Sequence, residues 1–119
     1  MRQNCYLMKK ANAYKKIIQS LLEEYAKVKP ANLADVENQL VFDEKRNVYQ
    51  LLRVGFEGRQ RVYYIVFQMD IKDGKIWIQQ DVTDVPIAQR LLDAGVPKSD
   101  IVLGFHAPYK RALAGFAEA

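Results

Sequence analysis

Residues 60 to 79 read QRVYYIVFQMDIKDGKIWIQ, and this stretch decides the fold. β-Branched and aromatic residues dominate it, and Asp73-Gly74 in its middle is the strongest hairpin signal in the chain. It predicts a long strand, Gln60 to Ile71, turning tightly into a second, Lys75 to Gln79. In the long strand Val62, Tyr64 and Val66 point one way and Tyr63, Ile65, Phe67, Met69 and Ile71 the other, so both faces are largely apolar. In its partner Ile76 and Ile78 share a face opposite Lys75, Trp77 and Gln79. One helix cannot cover both sides of such a sheet. Either the C-terminal segment covers the second face or another chain does, in a homodimer or a heteromeric contact.

Working upstream, a strand from about Asp35 to Phe42 places Val36, Leu40 and Phe42 on one face. A charged turn at 43 to 47 leads into a strand from Val48 to Phe56, and Glu57-Gly58-Arg59 makes the next turn. Short turns force antiparallel neighbours, which gives a four-stranded meander. Ahead of it, Tyr14, Ile17, Ile18, Leu21, Leu22, Tyr25 and Val28 recur at helical spacing, predicting a helix over Ala11 to Lys29 with one buried stripe, stopped by Pro30. Downstream of Asp81 a second helix is expected, with Thr83 or Asp84 as N-cap, Pro86 in the first turn, Ile87, Leu91 and Leu92 on the apolar face, and Gly95 just past its end. In the tail from Lys98 to Ala119, Ile101-Val102-Leu103 reads equally as a short strand or a helical turn. The fold class is α+β: an antiparallel meander packed by a long N-terminal helix, with a second helix and an irregular or strand-like C-terminal segment.

The chain has 119 residues, 50% hydrophobic and 27% charged, which suits one globular domain with a single core. No apolar run approaches the ~18 residues that span a bilayer, and no cleavage-site pattern follows the N-terminal stretch, so the expected location is cytoplasmic. The single cysteine, Cys5, cannot form an internal disulfide. Net charge is +4, and its excess is N-terminal, where residues 1 to 30 hold seven Lys or Arg against two Glu. Lys9, Lys10, Lys15 and Lys16 on the first helix, with Arg59 and Arg61 at the hairpin, form the alternative of a direct nucleic-acid contact; a solvated helix face explains the same charges.

Catalysis needs several reactive groups brought together, and the supply is thin. His106 is the only histidine and cannot hold a metal alone. Asp70, Asp73 and Asp81 tempt a carboxylate-cluster reading, but Asp73 is claimed by its turn and no companion Glu-x-Lys follows. Phosphate-binding glycine patterns are absent. The expectation is a protein without catalytic activity, cofactor or metal. Trp77, flanked by Lys75 and Gln79, makes a mixed apolar and hydrogen-bonding surface that suits recognition as well as it suits packing under the chain's own tail.

The blocks Tyr14-Lys-Lys-Ile-Ile-Gln-Ser-Leu-Leu-Glu-Glu-Tyr, Val41-Phe-Asp, Tyr49-Gln-Leu, Asp70-Ile-Lys-Asp-Gly-Lys-Ile-Trp-Ile-Gln-Gln-Asp, Gly95-Val-Pro-Lys-Ser-Asp-Ile-Val-Leu-Gly-Phe-His and Gly115-Phe-Ala, in that order, resemble the XisI family of DNA-element excision controlling factors. The resemblance covers residues 8 to 119 as one domain and leaves 1 to 7 as an extension, so Arg2 and Cys5 carry no expected function. It implies a regulatory protein that, with a nuclease-like partner called XisH, supports programmed excision of the fdxN element during heterocyst differentiation, while a separate recombinase cuts and rejoins. Regulation of an XisH-like protein in another setting is equally implied. On this basis Trp77, Gln79, Gln80, Asp81, His106, Pro108 and Arg111 are the candidate partner-binding residues. Val82, where the family commonly has glycine, and Val85-Pro86, in place of a more polar helix start, depart from the pattern.

Overall fold

The computed structural model describes residues 2–28 and 34–119, with side chains described from residue 8 onward. Along the chain run α1 (Arg2–Ala26), β1 (Val36–Asp43), β2 (Val48–Glu57), β3 (Gln60–Lys72), β4 (Lys75–Asp81), α2 (Ile87–Asp93), a 3-10 turn (Lys98–Asp100), β5 (Ile101–Leu103) and α3 (Pro108–Leu113). The first four strands are the expected antiparallel meander. The sheet nevertheless has five strands, in the order β1-β2-β3-β4-β5, and it is mixed: β5 runs parallel to β4, opposing Ile76 with Ile101, Trp77 with Val102 and Ile78 with Leu103. The purely antiparallel, four-stranded expectation fails here because α2 intervenes. A helical crossover returns the chain to the same end of the sheet, which a tight turn cannot do.

α1 begins at Arg2 rather than Ala11, since the stretch between holds neither Gly nor Pro to break a helix. The expected stop at Pro30 and the side chain of Cys5 lie outside the described residues. Tyr14, Ile18, Leu21 and Leu22 from the helix stripe pack on Tyr49, Leu51, Phe67, Met69, Ile71, Ile76 and Ile78, joined by Ile87, Leu91 and Val96 from the second helical segment. Each fully buried aliphatic or aromatic side chain in that layer contributes roughly 1.5–3 kcal/mol of transfer free energy. Leu40 shares a face with Val36 and Phe42, as expected, yet remains 37% exposed because β1 is an edge strand that the helix only partly overlies.

Two register shifts change the expected strand faces. In the β2–β3 pair Leu51 opposes Phe67 and Leu52 opposes Ile65, so Val66 is an extra residue; in the β3–β4 pair Met69 opposes Ile78 and Gln68 opposes Gln80, so Gln79 is extra. A bulge places two consecutive residues toward one side. Val66 and Phe67 are accordingly both buried, and the helix side of β3 reads Val62, Tyr64, Val66, Phe67, Met69, Ile71. The opposite side reads Tyr63, Ile65, Gln68, Asp70. Strict alternation, which assigned Phe67, Met69 and Ile71 to the side of Tyr63, does not survive the extra residue.

The loop before α2 also differs from expectation. Pro86 is the N-cap, without a side-chain capping bond, and Ile87 opens the helix. Thr83 instead closes the preceding turn: Asp81 Oδ1 accepts from the Thr83 N–H at 2.9 Å and the Thr83 hydroxyl at 2.8 Å, and Thr83 Oγ1 accepts from the Val85 N–H at 3.0 Å. At the other end Gly95 N–H donates to Leu92 O and Val96 N–H to Leu91 O, the paired bonds of a Schellman stop with Val96 buried.

Asp100, 7% exposed, ties α1 to the 3-10 turn. Its Oδ2 accepts a short hydrogen bond from the Tyr14 hydroxyl and lies 2.8 Å from Lys10 Nζ. Turn closure at the β1–β2 end is likewise carboxylate-based: Asp43 accepts from the Arg46 and Lys45 N–H groups, and bonding to Arg46 first of all holds its carboxyl below the usual range. Burial pushes the Tyr49 phenol above its ordinary value.

Gly55 is where β2 passes closest to the start of β1. A Cβ there would meet Asp35 O at 2.0 Å and Val36 Cα at 2.8 Å, and φ is 154°. Gly55→Ala is therefore expected to lower stability by about 2 kcal/mol through backbone displacement. In denaturant titration the midpoint should fall at unchanged slope.

Candidate functional site: the sheet face opposite the long helix

Register assigns the side of the sheet away from α1. It carries Val41 on β1, Gln50, Leu52, Val54 and Phe56 on β2, and Tyr63, Ile65, Gln68 and Asp70 on β3, with Trp77 and Gln80 on β4 and the bulged Gln79 between them. Cross-strand opposition sets Leu52 against Ile65 and Val54 against Tyr63. None of these apolar residues belongs to the core; Val41, Phe56 and Tyr63 are 45, 47 and 65% exposed, and Leu52, Val54 and Ile65 are half-buried. Arg61 lies 5.1 Å from the centre of the Phe56 ring and 5.6 Å from that of Tyr63, extending the strip to the hairpin tip.

Next to this apolar strip runs a row of amides. Gln50 Nε2 donates to Gln68 Oε1 at 2.8 Å, Gln68 Nε2 to Asp70 Oδ1 at 3.2 Å, and Gln79 Nε2 to Asp70 Oδ2 at 3.1 Å. The bulge at Gln79 makes the last contact possible, because the extra residue re-aims its side chain. Asp70 opposes Trp77 across the strands. Over the indole stand two cations, Lys72 Nζ at 4.5 Å and the Arg111 guanidinium at 5.1 Å from the ring centre, a geometry in which the ring face attracts positive charge.

The C-terminal segment reaches only the β4–β5 margin of this face. Ala117 bridges Val102, and its N–H donates to Ile101 O. Lys75 Nζ donates to the backbone oxygen of Ala119. Of the two kinds of cover expected from the sequence, the tail supplies one for Trp77 and Val102, while the strip across β1 to β3 carries none from the described residues.

Of the partner-binding candidates, Trp77, Gln79, Arg111 and His106 are brought together. Arg111 Nε donates to His106 O at 2.9 Å, and His106 N–H donates to Leu103 O, so the histidine orders the tail through its backbone while its ring lies tilted against Phe105, centre to centre 4.4 Å. Pro108 opens α3 and is exposed. Gln80 and Asp81 serve local structure: Gln80 Nε2 donates to Ile65 O at 2.6 Å, and Asp81 closes the Thr83 turn. The three aspartates considered for a metal stand apart, Asp70 held by two glutamines and Asp73 in its turn with φ 52°. Among the described residues no three His, Cys, Asp or Glu side chains converge as a metal site requires. No described helix is long and apolar enough to cross a membrane.

The basic residues do not share a surface. Lys10 is engaged by Asp100, whereas Lys9 and Lys16 are exposed on α1. Arg59 and Arg61 sit beyond the far end of that helix, since Asn38, which opposes Arg53, bonds to Ala26 O at 3.0 Å. Along α1, Lys10 lies about 24 Å and exposed Lys16 about 15 Å from that end. Residues absent from the sequence candidates are Lys72, which the Asp73-Gly74 turn sets opposite Lys75, Gln50 and Gln68, whose register neighbours follow only from the bulges, and Asp100, which lies inside a quoted block without any sign of its partners.

Comparison with known proteins places the fold. The family model for the XisI protein matches residues 8–118. A crystal structure of a XisI-like protein from Anabaena variabilis ATCC 29413 is 45% identical, covers 92% of this chain and 99% of its own, and superposes with a TM-score of 0.86. That of the fdxN element excision controlling factor XisI from the same organism is 39% identical over the same shares, with a TM-score of 0.80. No curated protein matches the chain. A family model spanning nearly the whole sequence, and a shared fold at these identities, place the chain in the XisI family.

Proposed function

We propose that this XisI-family protein works by binding an XisH-like, nuclease-related protein through the sheet face opposite α1, and that it controls that protein without performing bond chemistry itself. The observation that carries this reading is the apolar strip of Val41, Leu52, Val54, Ile65, Phe56 and Tyr63, which belongs to no core and is bordered by the amide row and the cation-flanked Trp77. Aromatic and arginine anchors set in an apolar centre with a polar rim are the composition of protein interfaces. The name of one structural relative, an excision controlling factor, supports a regulatory role.

Co-expression with an XisH-like protein, followed by size-exclusion chromatography at micromolar concentration, tests the reading. The expected result is one co-eluting peak containing both proteins. Two separate peaks overturn it.

A further inference from the structure

On the helix side of the sheet lies a groove of about 390 Å³, within the range of roughly 300–1,000 Å³ typical of small-molecule sites. Its walls are Tyr25 and Val28 at the end of α1, Arg53 and Tyr64 on the hairpin, Val66 at the bulge, and the loop 82 to 85. The groove exists because pairing between β3 and β4 ends at Phe67 and Asp81, after which the chain turns away and leaves the first half of β3 without a strand neighbour on that side.

Arg53 is the unusual group in this wall. Its Nη1 donates to the Tyr64 hydroxyl at 3.1 Å, but its Nε is shielded from solvent and has no acceptor among the described residues. No carboxylate pairs with its charge among them either; Asp84 lines the same groove but is exposed and makes no ion pair with it. The charge of a guanidinium that lines a groove without a carboxylate partner is matched by an anion lying in the plane of its donors. Apart from Thr83 and Asp84, the rest of the lining is apolar and aromatic.

We propose that this groove binds a monocarboxylate carried on an apolar body, the carboxylate pairing with the Arg53 guanidinium at the groove wall and the body lying between Tyr25 and Val66. Asp84 on the rim disfavours phosphates and other multiply charged anions. The site is separate from the partner-binding face, being on the other side of the sheet.

The test is an amide chemical-shift titration of the full chain with 4-phenylbutyrate and with its neutral amide. The acid is expected to give saturating shifts confined to residues around Tyr25, Tyr64 and Val82 to Val85, with a dissociation constant on the order of a millimolar. Its amide should bind at least tenfold more weakly. Arg53→Gln should remove the advantage of the acid while the remaining spectrum stays dispersed. Absence of saturable shifts with the acid at tens of millimolar, or equal binding of acid and amide, overturns the proposal. Acid binding retained in Arg53→Gln overturns it as well; should that variant fail to fold, the comparison of acid with amide on the native chain decides alone.

Discussion

Asp100→Ala is expected to destabilise the fold by about 3 kcal/mol, the low end for breaking a buried ion pair from one side. The Asp100 side chain is 10% exposed, and its removal takes away the acceptor of the Tyr14 hydroxyl and the anion beside the Lys10 ammonium, whose side chain is 19% exposed. For a chain of this size the melting temperature should fall by roughly 10 °C. Tyr14→Phe in the Asp100→Ala background should have a much smaller effect than in the native chain, because the two groups act on each other and their effects do not add. A loss under about 0.5 kcal/mol would show that the contact behaves like a surface pair. The location of this interaction matters for function: it fixes the start of β5, and through β5 the tail whose Arg111 stands over Trp77.

The second large effect concerns binding. Val41→Asp and Tyr63→Asp, on β1 and β3, are expected to leave the fold intact because both native side chains are exposed. A charge at the centre of a desolvated interface removes the contact of a hot-spot residue and adds a desolvation penalty, so the double variant should lose at least thirtyfold in affinity for the XisH-like partner. Lys16→Asp on the opposite side is the control and should change affinity less than twofold. Calorimetric titration of the three proteins against the same partner measures all of this.

Much of the fold was legible in the chain. The stripe Tyr14, Ile18, Leu21, Leu22 and the turn at Asp73-Gly74 are local patterns, and each depends on neighbours a few positions away. Val66 and Gln79 as bulged residues were not legible, since a bulge is set by the register of two strands far apart in sequence. Missing them mixed the faces of β3, and with them the boundary between core and surface. Ile101–Leu103 stayed ambiguous for a related reason: three residues carry no period, and their identity as a parallel strand follows only once α2 has returned the chain beside β4.

For the site the same division holds. Trp77, Gln79, His106 and Arg111 were singled out by the family resemblance, and the fold collects them. Gln80 and Asp81 belong to the same sequence block but are occupied by the backbone of Ile65 and by Thr83, because the bulge and the turn redirect consecutive side chains. The Gln50–Gln68–Asp70 row depends on bulged cross-strand opposition, which a single sequence does not display, whereas Lys72 near Trp77 follows from the Asp73-Gly74 turn.

Hydroxyl-radical footprinting of side chains, with and without the XisH-like protein, tests most directly whether the face away from α1 is where the partner sits. The account predicts that Phe56 and Tyr63 oxidise readily in the free chain at any concentration, and that both become several-fold protected in the complex while exposed Met8 on α1 does not. Protection confined to α1, or protection of Phe56 and Tyr63 that appears in the chain alone as its concentration rises, would contradict it.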